Sequence, residues 1–146
     1  MKEKMVSKNI MVKNKFGRKN IPKKKKFLDF RKKYWGTICT IFKSKNFAIK
    51  EIVMKKNTQS SMEYHIFKEE FYYIQKGKLK VGMRIGRAEN KSIILKKGEL
   101  YHIPPGLMHM RIALEDTTII EWSNKDTDED SNIVEDGLKY KFRETK

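Results

Sequence analysis

The sequence predicts an all-β chain folded as one domain, and three observations carry that prediction. From Trp35 onward the chain runs in short stretches rich in β-branched and aromatic residues. Turn signals interrupt them about every 8 to 12 residues, the spacing of a sandwich or a small barrel. Nowhere in that region do apolar residues recur at i, i+3, i+4 and i+7, as an amphipathic helix requires.

Taken in order, residues 37–42 and 47–54 read as the first strands, with Lys43-Ser-Lys-Asn46 as their turn. Residues 55–60 form a loop, and residues 61–65 lead into a strand over 70–75. Lys76-Gly77 turns the chain into a strand over 78–85, and Gly86 to Asn90 breaks it before another over 92–95. Strands over 100–103, 108–113 and 117–122 bring the total to about nine. The acidic run Asp126-Thr-Asp128-Glu129-Asp130 is read as a loop, either solvated or paired with basic residues near the N-terminus.

At 146 residues the chain can bury one real core, and nothing calls for a second domain of that kind. A single cysteine, Cys39, excludes an internal disulfide framework and a cysteine-rich zinc site. No apolar run approaches the roughly 20 residues needed to cross a bilayer, and no apolar segment follows the basic N-terminus as in a secretory signal. A soluble, cytoplasmic protein without membrane insertion is the expectation.

The formal charge is +16, and residues 1–33 alone hold 14 Lys and Arg against Glu3 and Asp29. Residues 1–20 have too little apolar surface to offset their ordering entropy and are read as mobile, or ordered only by docking. The division expected is thus a basic, partly flexible N-terminal arm over 1–33 and a β-barrel domain over 34–146. The arm is able to make nonspecific, salt-sensitive contact with nucleic acid, or to be simply a solvated tail.

Four residues carry chemistry. Alternate side chains of a strand share a face, so Glu63 and His65 can point inward together, and Glu70 opens the next strand with Tyr72 on its face. The run Gly98-Glu-Leu-Tyr-His-Ile-Pro104-Pro105-Gly106-Leu-Met-His109 is a tight corner that delivers an imidazole onto a strand, where Arg111 shares its face. Glu63, His65, Glu70 and His109 can therefore meet inside a barrel. Two imidazoles and two carboxylates suit Zn²⁺, Fe²⁺, Mn²⁺, Ni²⁺ or Co²⁺ and not a thiolate-selective metal.

The joint pattern resembles the cupin family. Glu63 to Gly77 is similar to its first signature, H-x-H-x(3,4)-E-x(6)-G, with Glu63 in place of the first histidine. Gly98 to His109 matches the second, G-x(5)-P-x-G-x(2)-H, at every specified position, Ala113 replacing only the trailing asparagine. The resemblance implies a single-domain double-stranded β-helix, the jelly-roll barrel, with a divalent ion as cofactor on Glu63, His65, Glu70 and His109. Within the family, Trp35-Gly36, the strand from Phe47, Ser61 to Tyr72, and Ile120-Glu121 with the tail to Gly137 resemble the C-terminal domain of type II mannose-6-phosphate isomerases, often fused to mannose-1-phosphate guanylyltransferases.

That resemblance implies isomerisation or epimerisation of a sugar or sugar phosphate, and a homodimer. Tyr72 and Arg111 are then the catalytic candidates, to relay a proton and to grip a phosphate or carboxylate. The departures bear on this expectation. The family's three histidines reduce to His65-Ile66-Phe67, Met110 replaces the arginine after the second-signature histidine, and the closing Tyr-Gly-Arg is absent. If all four ligands hold the ion, the motifs leave no carboxylate free to act as a base. Two alternatives stay open: a non-catalytic cupin that binds a small ligand or serves as a scaffold, and an Fe²⁺-dependent cupin dioxygenase. His102 lies beside the corner, facing in or out.

Overall fold

A computed structural model describes residues 21–146, and the reading of residues 1–20 as mobile lies outside them. The strands are β1 (Asp29–Lys33), β2 (Gly36–Lys43), β3 (Ala48–Met54), β4 (Met62–Tyr64), β5 (Glu70–Lys76), β6 (Lys78–Ile85), β7 (Glu89–Lys96), β8 (Leu100–Ile103), β9 (Met108–Ala113), β10 (Thr117–Ser123) and β11 (Asn132–Glu135). One 3-10 turn, Asp128–Asp130, precedes β11. All strand pairs are antiparallel, in a six-stranded sheet ordered β1-β2-β3-β10-β5-β8 and a five-stranded sheet ordered β11-β4-β9-β6-β7. The all-β jelly-roll expectation holds.

Period-two patterning explains how the sheets face each other. Ala48, Lys50, Ile52 and Met54 are buried along β3, Glu70, Tyr72 and Ile74 along β5, and Thr117, Ile119, Glu121 and Ser123 along β10. Register sets Ile119 opposite both Ile52 and Ile74, and Glu121 opposite both Lys50 and Tyr72. The inward row thus changes from apolar to charged along its length. At the apolar end Leu79, Val81 and Leu95 close the core against Ile52, Ile74 and Ile119. Each such side chain contributes about 1.5–3 kcal/mol by leaving water.

Two strands escaped the sequence reading for a physical reason. β1 is an edge strand exposed on nearly every residue, so it has no alternation to display. β11 pairs only with the short β4. β7 also begins at Glu89, earlier than expected, because pairing with β6 extends to Ile85 opposite Glu89 despite the polar composition there.

The C-terminal tail covers the outer face of the smaller sheet. Gly82 pairs with Met110, and a Cβ on Gly82 would lie 2.9 Å from the Phe142 ring, so the missing side chain is the space that ring fills. Arg84 and Asn90 both donate to the Tyr140 hydroxyl, at 3.1 and 2.9 Å. Met110 is consequently as buried as the inward His109 and Arg111 beside it. Among the described residues, no helix is long and apolar enough to cross a membrane.

Candidate metal centre and its cavity

β4 ends at Tyr64, so His65 lies one residue beyond the strand, at the start of a corner over 65–69. Asp130 builds that corner. Its carboxylate accepts the backbone N–H of Ile66 at 2.7 Å, of Phe67 at 3.0 Å and of Lys68 at 2.8 Å. These bonds hold the Asp130 carboxyl below the usual carboxylate range, although burial acts in the opposite sense. The Asp130 carbonyl accepts Nδ1–H of His65 at 2.9 Å. On the other side, Gly106 at φ +85° in the Pro-Pro-Gly turn donates its N–H to the His65 carbonyl at 2.7 Å. The two signature segments are thus bonded to each other through the backbone.

His109 enters from β9, directly opposite Glu63 of β4. Its Nδ1 donates to the Leu107 carbonyl at 2.8 Å. A carbonyl can only accept, so both histidines carry a proton on Nδ1 and leave Nε2 to face the interior. One ligand atom from each of Glu63, His65 and His109 lies within 4.8 Å of the others. Glu70 joins them, with Oε1 2.5 Å from His65 Nε2 and 3.7 Å from His109 Nε2. Of the four expected ligands, Glu63, His65 and His109 thus form one mutually close group, and Glu70 lies against both histidines of it.

The donor set fits a cation. His65 Nε2, His109 Nε2 and Glu70 Oε1 are buried and have no aligned hydrogen bond, despite the short His65 to Glu70 approach. Two electron-rich atoms at that separation need a positive charge shared between them, a proton or a metal ion. Burial works against a charged His65 ring, but Glu70 and Glu63 outweigh it and raise its affinity for a proton. His109 shows the reverse balance: burial dominates and keeps it neutral, its Nε2 lone pair free. Glu70 is buried, yet His65 and Lys68 hold it ionised far below the usual range.

The centre opens into a cavity of about 380 Å³. Arg31, Lys33, Lys50, Lys68 and Arg111 line it, and so do five acidic groups, among them Glu63, Glu70, Glu121 and Asp126. Lys68 lies 3.4 Å from Glu121, 3.5 Å from Asp126 and 3.8 Å from Glu70, and these carboxylates keep it protonated against the effect of burial. Lys50 binds Asp126 at 2.7 Å. Arg111 is buried against the rings of Trp35 and Tyr72, its guanidinium 5.1 and 5.9 Å from their centroids. The nearest carboxylate oxygen, on Glu121, is 3.8 Å away, too far for a hydrogen bond. Tyr72 is fully buried beside this group and is not part of the cavity wall, and burial with the Glu70 charge pushes its phenol well above its usual pKa. His102 faces outward, stacked on Phe71 at 4.6 Å and paired with Glu69 at 2.6 Å.

Lys68, Glu121, Asp126 and Asp130 lie outside the residues singled out from sequence. Lys50 and Glu121 did leave a trace, as charges placed in inward rows that otherwise read Ala48, Ile52, Met54 and Ile119. Asp130 left none, because nothing in an acidic run says which member turns inward.

A family model described as Cupin matches residues 40–143. The chain belongs to the cupin family. Solved structures agree on the fold of this cupin. Capsular polysaccharide assembling protein CapF from Staphylococcus aureus aligns at TM-score 0.68 and 21% identity, over 77% of this chain and 33% of that one. Oxalate decarboxylase from Bacillus subtilis aligns at 0.63 and 19%, over 73% and 30%, so this cupin spans about a third of either protein. KdgF from Halomonas sp. aligns at 0.60 and 16%, over 73% of this chain and 98% of its own. The B. subtilis oxalate decarboxylase has Mn(II) centres. No curated protein sequence matches the chain.

Proposed function

We infer that this cupin holds a divalent ion on Glu63, His65, Glu70 and His109 and acts on an anionic sugar derivative. A sugar phosphate is the foremost candidate, isomerised or epimerised as by the mannose-6-phosphate isomerase domains its signatures resemble. The observation that carries the reading is a pair of unmet demands in one place: buried ligand atoms without hydrogen bonds, and a buried Arg111 guanidinium without one. A divalent ion at the site supplies polarisation of a carbonyl or of adjacent hydroxyls. Arg111, backed by Trp35, offers a planar fork of donors to a phosphate or carboxylate. Basic and acidic groups in the cavity wall balance at five each, so a bound divalent ion makes the cavity cationic and favours an anion.

Elemental analysis is expected to find about one divalent ion per chain, lost in the His65→Ala/His109→Ala double variant. Manganese is the first metal to test, on the oxalate decarboxylase precedent. Loaded protein that is inert on a hexose-phosphate panel, and unshifted in melting temperature by any member, ends this reading. A second reading, a non-catalytic binder, is favoured by the position of Tyr72, whose hydroxyl is sealed away from the cavity. Stabilisation by an unaltered ligand without turnover separates the two. The family resemblance extends the proposal to a homodimer, for which analytical ultracentrifugation is the test.

A further inference from the structure

An aldose-ketose isomerase needs a base as well as a metal, and the four signature ligands leave no carboxylate for it. We propose that Glu121, which belongs to neither metal signature, is the carboxylate that moves the substrate proton in this cavity. The assignment rests on the metal-site reading above and adds the residue that reading lacks.

Four observations place it. Glu121 occupies the middle of β10 on its inward row, opposite Lys50 on one side and Tyr72 on the other. It is only 3% exposed, and what it exposes is cavity wall. Its Oε1 has no hydrogen-bond partner, while Oε2 is turned toward Arg111 at 3.8 Å. The Lys68 ammonium lies 3.4 Å from that free oxygen and 3.8 Å from Glu70, so one cation bridges Glu121 and the metal carboxylate. Glu121 is thus beside the candidate ligands without being one of them. The anion-gripping Arg111 is its immediate neighbour.

The step balances without a co-reactant. The Glu121 carboxylate removes a proton from the carbon next to the substrate carbonyl; the C–H electron pair becomes the C=C bond of an enediolate, and an O–H bond forms on Glu121. Return of that proton to the neighbouring carbon, with transfer of the hydroxyl proton between the two oxygens, completes the isomerisation. Lys68 and Arg111 offset the negative charge that passes between carboxylate and enediolate.

The experiment uses full-length, Mn(II)-loaded protein with fructose 6-phosphate as the probe in D₂O, and reads deuterium entry at C1 by proton NMR. Glu121→Gln is expected to lose at least about 100-fold in exchange rate while keeping its metal and its probe-induced melting shift. Glu121→Asp retracts the carboxylate by one C–C bond, and is expected to lose about 10- to 100-fold with probe binding intact. It decides the matter should the Gln variant fail to fold. Exchange within about 3-fold of wild type in whichever variant is folded overturns the assignment. Wild-type protein that holds metal and probe but exchanges nothing overturns it too, and leaves the metal site standing. Wild-type protein that holds no metal overturns both.

Discussion

Asp130→Ala is the sharpest test of how this fold builds its site, because one side chain there organises a whole corner. The carboxylate satisfies three successive backbone N–H groups, those of Ile66, Phe67 and Lys68. Ile66 and Phe67 are exposed, so water can replace the lost acceptor for them, whereas Lys68 is buried and its N–H would be stranded. A stranded buried donor costs about 1–3 kcal/mol, and the two exchanged for water add about 0.5 kcal/mol each. The expected loss is therefore about 2–4 kcal/mol, or about 6–16 °C in Tm for a domain of this size. His65 starts the same corner and donates to the Asp130 backbone carbonyl, so divalent-ion affinity should fall as well, by about 10- to 100-fold. Differential scanning calorimetry of metal-free protein and a calorimetric metal titration measure the two effects. A metal-free Asp130→Ala melting within about 2 °C of wild type would refute the claim that this carboxylate holds the corner.

Other outcomes follow from the same structure. Lys50 and Lys68 hold the Asp126 carboxyl below its usual range against burial, so its contribution to stability is present above the unfolded pKa of about 3.9 and lost as pH falls through the lower folded value. The melting difference between wild type and Asp126→Asn should accordingly be present at neutral pH and vanish in acid; a difference unchanged in acid contradicts the pairing. Gly36 sits at φ +151° with the Val53 carbonyl where a Cβ would be, whereas Gly98 at φ +89° has open space there. Gly36→Ala should thus cost several kcal/mol and Gly98→Ala about 1 kcal/mol, compared by urea denaturation. Deletion of residues 1–26, which hold 11 of the 14 Lys and Arg of residues 1–33, leaves β1 intact and should strongly weaken salt-sensitive binding to a DNA duplex in fluorescence anisotropy without changing metal content, if the basic arm is what binds. Unchanged binding would assign the polyanion affinity to the barrel.

Much of the site was legible before any coordinates. The corner from Gly98 to His109 and the run from Glu63 to Gly77 hold their chemistry at short, fixed offsets, and backbone geometry alone dictates what such offsets do. Glu63, His65 and His109 lie in one group, with Glu70 beside the two histidines. The placement of Glu63 and His65 on one strand was less accurate, since β4 stops at Tyr64 and a loop side chain from far along the chain orients the ring. Edge strand β1 and the tail strand β11 were invisible because neither has a buried face to pattern.

What the sequence by itself determined is the all-β class, the alternation of inward and outward side chains along the strands it recognised, and a set of candidate metal ligands, the first two consequences of local periodicity and the last of signature spacing. Which charges share the cavity was decided only by the tertiary structure. Lys68, Glu121 and Asp126 are set close together by sheet register and loop packing across more than 50 residues of chain. Interactions of that kind depend on distance through space, and a sequence records distance along the chain alone.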